Sequence, residues 1–144
     1  METNLKSVVT VAGCSGLFRT LKTTRQGLLL ESLDERKSRT VKHLHTHKLS
    51  SLADISIFST EAEKTMPIAK VLANIYLAFA DKLDAGLYDS PEKLHALMQR
   101  MAPGYDQERV SVSSIKKLIN WYNILVQYAP NSLASITVDR RQEA

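Results

Sequence analysis

The first sixty positions alternate between short apolar runs and polar turns, a spacing typical of β-strands. The turn signal "TRQG" (24–27) and the polar stretch "DERKSR" (34–39) separate the runs from one another. Each run is about five residues long, which is the usual length of a strand. We therefore predict strands at 16–23, 28–33, 40–45 and 55–58.

Two segments of this part are less regular. "SVVTVAG" (7–13) fits either a first strand or a short helix. "SSLADI" (50–55) resembles one helical turn with Ser50 or Ser51 as its N-terminal cap. Several short strands joined by polar turns indicate a small barrel or a curled antiparallel sheet.

After residue 60 the apolar positions recur with the period of an α-helix. In the stretch 66–83 they lie three or four positions apart and define one face of a first helix. Pro67 fits the first helical position, and Gly86 lies just past the expected end. The residues of this face are Ile68, Val71, Leu72, Ile75, Tyr76 and Phe79.

Two further helices follow. Ser90 and Pro91 are a cap and a first-turn proline that mark the start of the second helix. Ser113 is the expected cap of the third helix, which Pro130 ends. The apolar faces consist of Leu94, Leu97, Met98 and Met101 in the second helix, and of Ile115, Leu118, Ile119, Tyr122, Leu125 and Val126 in the third. The opposite face of the third helix carries Lys116, Lys117, Asn120, Asn123 and Gln127.

The change of period predicts an α+β protein with two parts. We expect a small antiparallel β-barrel over 1–60, a three-helix unit over 61–135 and a flexible tail over 136–144. Each helix has one apolar stripe to bury, so the three need a shared surface, either one another or the sheet.

The composition is that of a soluble globular protein, with 44% hydrophobic and 24% charged residues. No apolar run reaches the roughly 20 residues that span a bilayer, and the N-terminus lacks the pattern of a signal peptide. The single cysteine, Cys14, excludes an internal disulfide. We expect a cytoplasmic protein with no membrane partner.

The net charge of +4 is carried entirely by residues 1–60, which contain nine basic and five acidic residues, whereas residues 61–144 contain ten of each. This asymmetry indicates either an anionic partner or a solvated basic surface. If the turns at 24–27 and 34–39 emerge on one side of the sheet, their basic residues form one rim suited to phosphates. The candidate nucleic-acid-binding residues are Arg19, Lys22, Arg25, Arg36, Lys37, Arg39 and Lys42.

Three longer stretches carry a resemblance to a known family. They are "SGLFRTLKTTRQGLLLESLD" (15–34), "HKLSSLADISIFSTE" (47–61) and "YDQERVSVSSIKKLINWYNIL" (105–125). They resemble an uncharacterised domain-of-unknown-function family of Bacteroidota. Lys48–Ile57 match its signature, with Ala53 where an acidic residue is common. The resemblance implies a small SH3-like or Sm-like barrel followed by a helical domain, and it implies no activity. Small barrels of this kind often bind nucleic acid or peptides.

The stretch "HLHTHK" (43–48) places three histidines at alternate positions, so on an extended strand His43, His45 and His47 share one face. Two such histidines can supply zinc ligands, but a site needs a third ligand. The nearest candidates for it are Cys14, Glu31 and Asp34. The other interpretation is the polar, solvent-facing side of an edge strand. We favour this second interpretation and assign no metal and no cofactor.

No residues form a recognisable catalytic set. Cys14, within "AGCSG" (12–16), is a candidate nucleophile and its loop a candidate phosphate cradle. No histidine and acid accompany the thiol, however, and the loop lacks the Lys-Ser/Thr of a P-loop. A small buried thiol is the commoner fate of a lone cysteine. We assign no catalytic residue and expect that the protein is not an enzyme.

Trp121 lies about 120° from Ile115 around the third helix. It is therefore either wedged at the edge of the core or exposed as an anchor for a partner. Together with Lys116 and Lys117 it forms the candidate partner-binding set. We favour a binding or adaptor module with a protein-interaction or self-assembly role. The alternative is RNA or DNA binding through the basic rim.

Overall fold

The structure, a computed structural model, describes residues 5–14, 16–43, 48–60, 64–134 and 136. It confirms the α+β class, because an antiparallel sheet is followed by helices. Among the described residues, no helix has both the length and the apolar character that crossing a membrane requires.

Five antiparallel strands form the main sheet, in the order β4-β3-β2-β1-β5. The strands are β1 (Val8–Val11), β2 (Phe18–Thr24), β3 (Gly27–Ser32), β4 (Arg39–Lys42) and β5 (Leu49–Ser51). The segment 7–13 thus contains the first strand. The strand predicted at 40–45 ends at Lys42, and its positions 44 and 45 lie outside the described residues.

The main sheet has a small apolar core of its own on one face. Its members are Val9, Val11 and Leu30, with Phe18, Leu28 and Leu49 partly buried around them. These residues come from four strands. A register shift between Thr20 and Lys22 marks an irregularity in β2 of the kind that bends a strand. The described strands leave the sheet open, since its edges β4 and β5 do not pair with each other. Closure into an SH3-like or Sm-like barrel stays a prediction.

The turn between β2 and β3 depends on Gly27. Its φ is +144°, a conformation that residues with a side chain rarely adopt. A Cβ at this position would lie 2.1 Å from the carbonyl oxygen of Lys42 in β4. The backbone of β4 therefore approaches this turn so closely that no side chain fits there.

A 3-10 turn and a hairpin connect the main sheet to the helices. The turn, Leu52–Asp54, is capped by Ser51, whose Oγ accepts a hydrogen bond from the Ala53 N–H at 3.3 Å. The hairpin pairs β6 (Ser56–Phe58), the strand predicted at 55–58, with β7 (Thr65–Pro67). The predicted boundary at residue 60 falls between these two paired strands.

The three predicted helices are present as α1 (Ile68–Phe79), α2 (Pro91–Met101) and α3 (Val112–Tyr128). Their predicted apolar faces point into the protein. All the members of these faces are buried except Tyr76, Phe79 and Val126, which are partly buried. The Ser90 cap is confirmed, because its Oγ accepts a hydrogen bond from the Lys93 N–H.

Three predicted helix ends were wrong. Pro67 is the last residue of β7 and precedes α1 with extended backbone, so it is not the first helical residue. Ser111, not Ser113, caps α3 through a hydrogen bond from the Ser114 N–H. Helix α1 ends at Phe79, and its C-cap residue Ala80, in the left-handed conformation (φ 57°), stands six residues before Gly86.

Contacts with α3 explain why α1 stops early. The Tyr122 hydroxyl donates to the Asp81 carbonyl at 2.9 Å. The Asn123 side chain accepts from the Leu83 N–H at 2.8 Å and donates to the Leu83 carbonyl at 3.0 Å. These bonds hold Asp81 and Leu83 against α3, so the chain after Ala80 does not continue along the axis of α1. Asn123, predicted on the face of α3 opposite its apolar stripe, is thus a structural residue.

One large core joins the two predicted parts. It contains side chains from the N-terminal region and from all three helices. The fully buried members include Val8, Leu52, Ile68, Leu72, Ile75, Leu94, Met98, Ile115, Tyr122, Leu125 and Leu133. Leu133 lies in a helical stretch at 130–134 that begins at Pro130. Of the predicted tail, 136–144, only Ile136 is described, and it packs against this core.

Burial makes the stability of this core sensitive to alkaline pH. The pKa of Tyr122 is raised from 10.0 to about 12, first by burial and then by Tyr76 and Asp81. The folded state therefore keeps the proton of the Tyr122 hydroxyl at pH values where the unfolded chain releases it, so the free energy of unfolding should fall as pH rises from about 10 to about 12.

We expect urea titrations at several pH values to show this fall in the free energy of unfolding, and Tyr122→Phe to reduce its slope. Burial also raises the pKa of Tyr105, so part of the slope should remain. An equal slope in wild type and Tyr122→Phe would contradict the assignment.

Candidate binding site

The seven candidate basic residues do not form one rim. The turn at 24–27 precedes β3 and the loop at 33–38 follows it, so the two lie at opposite ends of this strand. Six residues of strand separate them by roughly 17 Å. A single rim required both turns to emerge on one side of the sheet, and the structure does not meet this requirement. Lys22, Arg25 and Lys42 lie toward one end, and Arg19, Arg36, Lys37 and Arg39 toward the other.

Two of the basic residues are bound to a carboxylate. Arg19, Glu31 and Arg39 are in register across β2, β3 and β4. The Glu31 carboxylate, mostly buried, lies 2.8 Å from Nη2 of Arg19 and 3.4 Å from Nε of Arg39. Glu31 therefore compensates part of the positive charge of the two arginines, which lowers their value as phosphate ligands.

Asp34 orders the loop that carries Arg36 and Lys37. One carboxylate oxygen accepts hydrogen bonds from the Ser32 hydroxyl at 2.9 Å and from the backbone N–H groups of Arg36 and Lys37 at 2.9 and 3.0 Å. The Ser32 bond is the largest cause of the lowered pKa of Asp34, with the two backbone bonds also contributing. The loop is thus held by its own acidic residue, while both basic side chains remain exposed.

The three candidate partner-binding residues lie on α3 beside two concave surfaces. Trp121 is half-buried and packs against the large core, so it is wedged at the core edge. The Lys117 ammonium lies 5.9 Å from the centre of its ring. Lys116 is exposed on the neighbouring side of the helix.

The first surface, here called the hairpin cleft, separates α3 from the turn between β1 and β2. It has a volume of about 270 Å³. Lys48 and Lys117 contribute its two charged groups, and none of the described residues that line it is acidic. The lining consists of Thr10, Val11, Ala12, Gly13, Cys14, Gly16, Lys48, Ser50, Lys117, Asn120 and Trp121. Cys14 is exposed here, so the expectation of a buried thiol was wrong.

The second surface, here called the α3 groove, lies between α3 and the start of α2. It has a volume of about 360 Å³, and Asn120 borders both surfaces. The lining consists of Tyr88, Asp89, Leu94, Lys116, Ile119, Asn120 and Asn123. Leu94 and Ile119 are buried members of the core, so the floor of the groove is apolar.

Sequence reasoning missed two residues of these surfaces. Lys48 was identified only as the first residue of the family signature and not as a candidate binding residue. Its place in that signature was the one feature of the sequence that pointed to it. Tyr88 stands in a loop without periodicity, so nothing in the sequence pointed to it. The fold alone brings these residues to α3.

The histidine stretch is only partly described. His43 is exposed after β4, and His45 and His47 lie outside the described residues. Within the described part of the chain, no three His, Cys, Asp or Glu side chains are grouped so that they could hold a metal ion. The fourth histidine, His95, contacts the Tyr105 hydroxyl through Nδ1 at 2.6 Å and stacks on its ring, which joins α2 to the following loop.

Comparison with known proteins agrees with this architecture. Two family profiles match the chain, a domain of unknown function (DUF5606) over residues 5–52 and another (DUF6852) over residues 55–125. No curated protein is significantly similar to it. A protein from Bacteroides vulgatus, a structural genomics target solved in solution by NMR, is 32% identical with a TM-score of 0.63. The match covers 91% of this chain and 88% of that one. The chain therefore belongs to the same protein family as this Bacteroides vulgatus protein.

Proposed function

We propose that the chain is a non-enzymatic, cytoplasmic binding module that holds a segment of a protein partner in the α3 groove. The observation that carries the proposal is a concave, apolar-floored site bordered by charged and amide side chains. Peptide-binding grooves combine these features, because an apolar anchor supplies affinity and polar groups fix its orientation.

The floor and wall of the groove suit an apolar side chain. Leu94 and Ile119 are 1% and 5% exposed, so they are held in place by the core beneath them. Tyr88 forms a wall, and the adjacent Leu87 is 62% exposed, the most exposed large apolar residue described. A partner side chain entering here would cover apolar surface that now faces water, which favours binding.

The charged residues at the edge of the α3 groove favour a partner segment with an acidic residue beside its apolar anchor. Asp89 forms a salt bridge with Lys93 at 3.1 Å, and this hydrogen bond is the main cause of its lowered pKa. Lys116, in contrast, forms no ion pair with any described residue. The free cation at the rim is thus Lys116, which fits an Asp or Glu beside the apolar anchor.

Selection from a random peptide library displayed on phage tests this proposal. We expect enriched peptides to carry a large apolar residue next to an acidic one, and Lys116→Glu to weaken their binding by about tenfold or more. Lys70→Glu, at an exposed position of α1, is the matched control and should bind as wild type does. No enrichment, or equal binding by Lys116→Glu, would exclude the groove as a peptide site.

A second copy of the chain is the other occupant to distinguish. Sedimentation velocity over a range of protein concentrations measures whether the chain forms a dimer. A dimer that Lys116→Glu dissociates and Lys70→Glu leaves intact would replace the partner segment by self-assembly through the same groove. A monomer at all concentrations supports the partner segment.

Nucleic-acid binding through the rim of the sheet has less support. Its basic residues lie at two ends of β3, and Glu31 binds Arg19 and Arg39. The observation that does favour a phosphate-bearing ligand is the hairpin cleft, which lies elsewhere.

A further inference from the structure

We infer that the hairpin cleft is a nucleotide site, in which Lys48 and Lys117 bind the phosphate and the Trp121 indole lies against the base. The site is separate from the α3 groove. The two surfaces share Asn120 alone, and the charged groups differ.

The charge of the cleft points to an anion. Lys48 immediately precedes β5 and Lys117 lies on α3, so two ammonium groups approach the same cleft from different elements. Neither Lys48 nor Lys117 forms an ion pair with any described residue, and the Lys117 ammonium lies over the Trp121 ring. Because the described lining contains no carboxylate, nothing there compensates these charges. A phosphate group supplies the missing negative charge.

The backbone around the cleft holds Lys48 in place and leaves room beside it. The Lys48 carbonyl accepts a hydrogen bond from the Ala12 N–H at 2.9 Å, which ties the start of β5 to the turn after β1. In this turn Gly13 and Gly16 have φ values of +86° and +80°, and a Cβ at either would meet no atom within 4 Å. The space beside these two glycines is therefore open to a ligand.

The indole of Trp121 provides an aromatic surface at a fixed place. Trp121 is partly buried against the large core and also lines the cleft. Aromatic side chains bind bases of any sequence by stacking, and adjacent lysines bind the phosphate. Asn120, Thr10 and Ser50 in the same lining supply hydrogen-bonding groups for the base and the sugar. The volume of about 270 Å³ suits a ligand of about one nucleotide.

Trp121 is the one tryptophan of the chain, so its fluorescence reports on this cleft directly. We would titrate the full chain with AMP, GMP and UMP, with unphosphorylated adenosine, and with a 5′-phosphorylated RNA hexanucleotide. The expected result is saturable quenching by the three monophosphates, with adenosine weaker by about tenfold or more, since it cannot use the two lysines. Absence of saturable quenching at millimolar monophosphate, or equal affinity for adenosine, would overturn the inference.

The two lysines and a control complete the test. Lys48→Gln and Lys117→Gln should each weaken AMP binding by about tenfold, whereas Lys70→Gln on α1 should leave it unchanged. Because all three positions are exposed, the variants are expected to fold, and circular dichroism checks this. Equal binding by all three variants would overturn the inference.

The hexanucleotide distinguishes the source of the nucleotide. Tighter binding than AMP would identify the end of an RNA strand, and equal binding a free nucleotide; either result supports the site. Hexaglutamate binding as tightly as AMP would overturn it in favour of an acidic peptide. Since the α3 groove test uses Lys116 and displayed peptides, either proposal can fail without the other.

Discussion

Truncation of Leu52 to alanine is expected to lower the free energy of unfolding of the whole chain by about 2–5 kcal/mol, because it removes buried methyl groups and leaves a cavity. Leu52 is 0% exposed and belongs to the core that also contains residues of all three helices. It stands in the 3-10 turn after β5, within the predicted N-terminal part. Loss of its side chain should therefore destabilise the sheet and the helices together.

Amide hydrogen exchange measures this coupling strand by strand and helix by helix. We expect amides of β3 and of α3 to become less protected by the same free energy, since one cooperative unit opens as a whole. Leu77→Ala, which truncates the same side chain at a 43% exposed position of α1, should change stability by no more than about 0.5 kcal/mol. Faster exchange in β3 with unchanged exchange in α3 would show instead that the parts 1–60 and 61–135 unfold separately.

Replacement of Gly27 by alanine is expected to cost about 3 kcal/mol, which would make it one of the largest effects of a single added methyl group in this chain. Two causes act together. The φ of +144° is unfavourable for alanine, and the added Cβ would lie 2.1 Å from the Lys42 carbonyl oxygen. This oxygen is backbone and cannot rotate away, so β4 must move from β3 or the turn must change.

Urea denaturation compares this variant with Gly86→Ala as its control. Near Gly86 the one close atom is the Asp84 side-chain oxygen at 3.2 Å. Asp84 is exposed, so its side chain can move away, at the cost of the exposed hydrogen bond that it accepts from the Gly86 N–H. Gly86→Ala should therefore leave stability within about 0.5 kcal/mol of wild type. Equal stability of the two variants would mean that the approach of β4 to the turn is not as close as described.

The two binding proposals depend on α3 in different ways. For the α3 groove the helix supplies Lys116 and the buried floor residue Ile119, and for the hairpin cleft it supplies Lys117 and Trp121. Adjacent residues project about 100° apart around a helix, so Lys116 and Lys117 reach opposite sides of one ridge. A single helix can in this way serve two ligands of different chemistry.

Local pattern was sufficient where neighbours in the chain decide the structure. Strand and helix periods, the Ser90 cap and the buried faces of α2 and α3 follow from residues a few positions apart, because backbone hydrogen bonding and side-chain direction repeat over that distance. The α+β class followed from the change of period near residue 60. The candidate residues Trp121, Lys116 and Lys117 were likewise identified from helical geometry.

Contacts between distant parts of the chain decided everything else. Helix α1 stops at Ala80 because Tyr122 and Asn123, some forty positions later, bind the backbone of Asp81 and Leu83. The candidate basic residues do not form one rim, because antiparallel pairing places successive turns at opposite ends of β3. In addition, Glu31 binds two of these residues, Arg19 and Arg39. By itself, the sequence determined the three helices with their buried faces and most of the strands, but not β5 (Leu49–Ser51) or β7 (Thr65–Pro67), and it left β1 open between strand and helix. Only the tertiary structure decided which side chains meet, since Lys48 reaches the cleft of Trp121 through packing that no local period encodes.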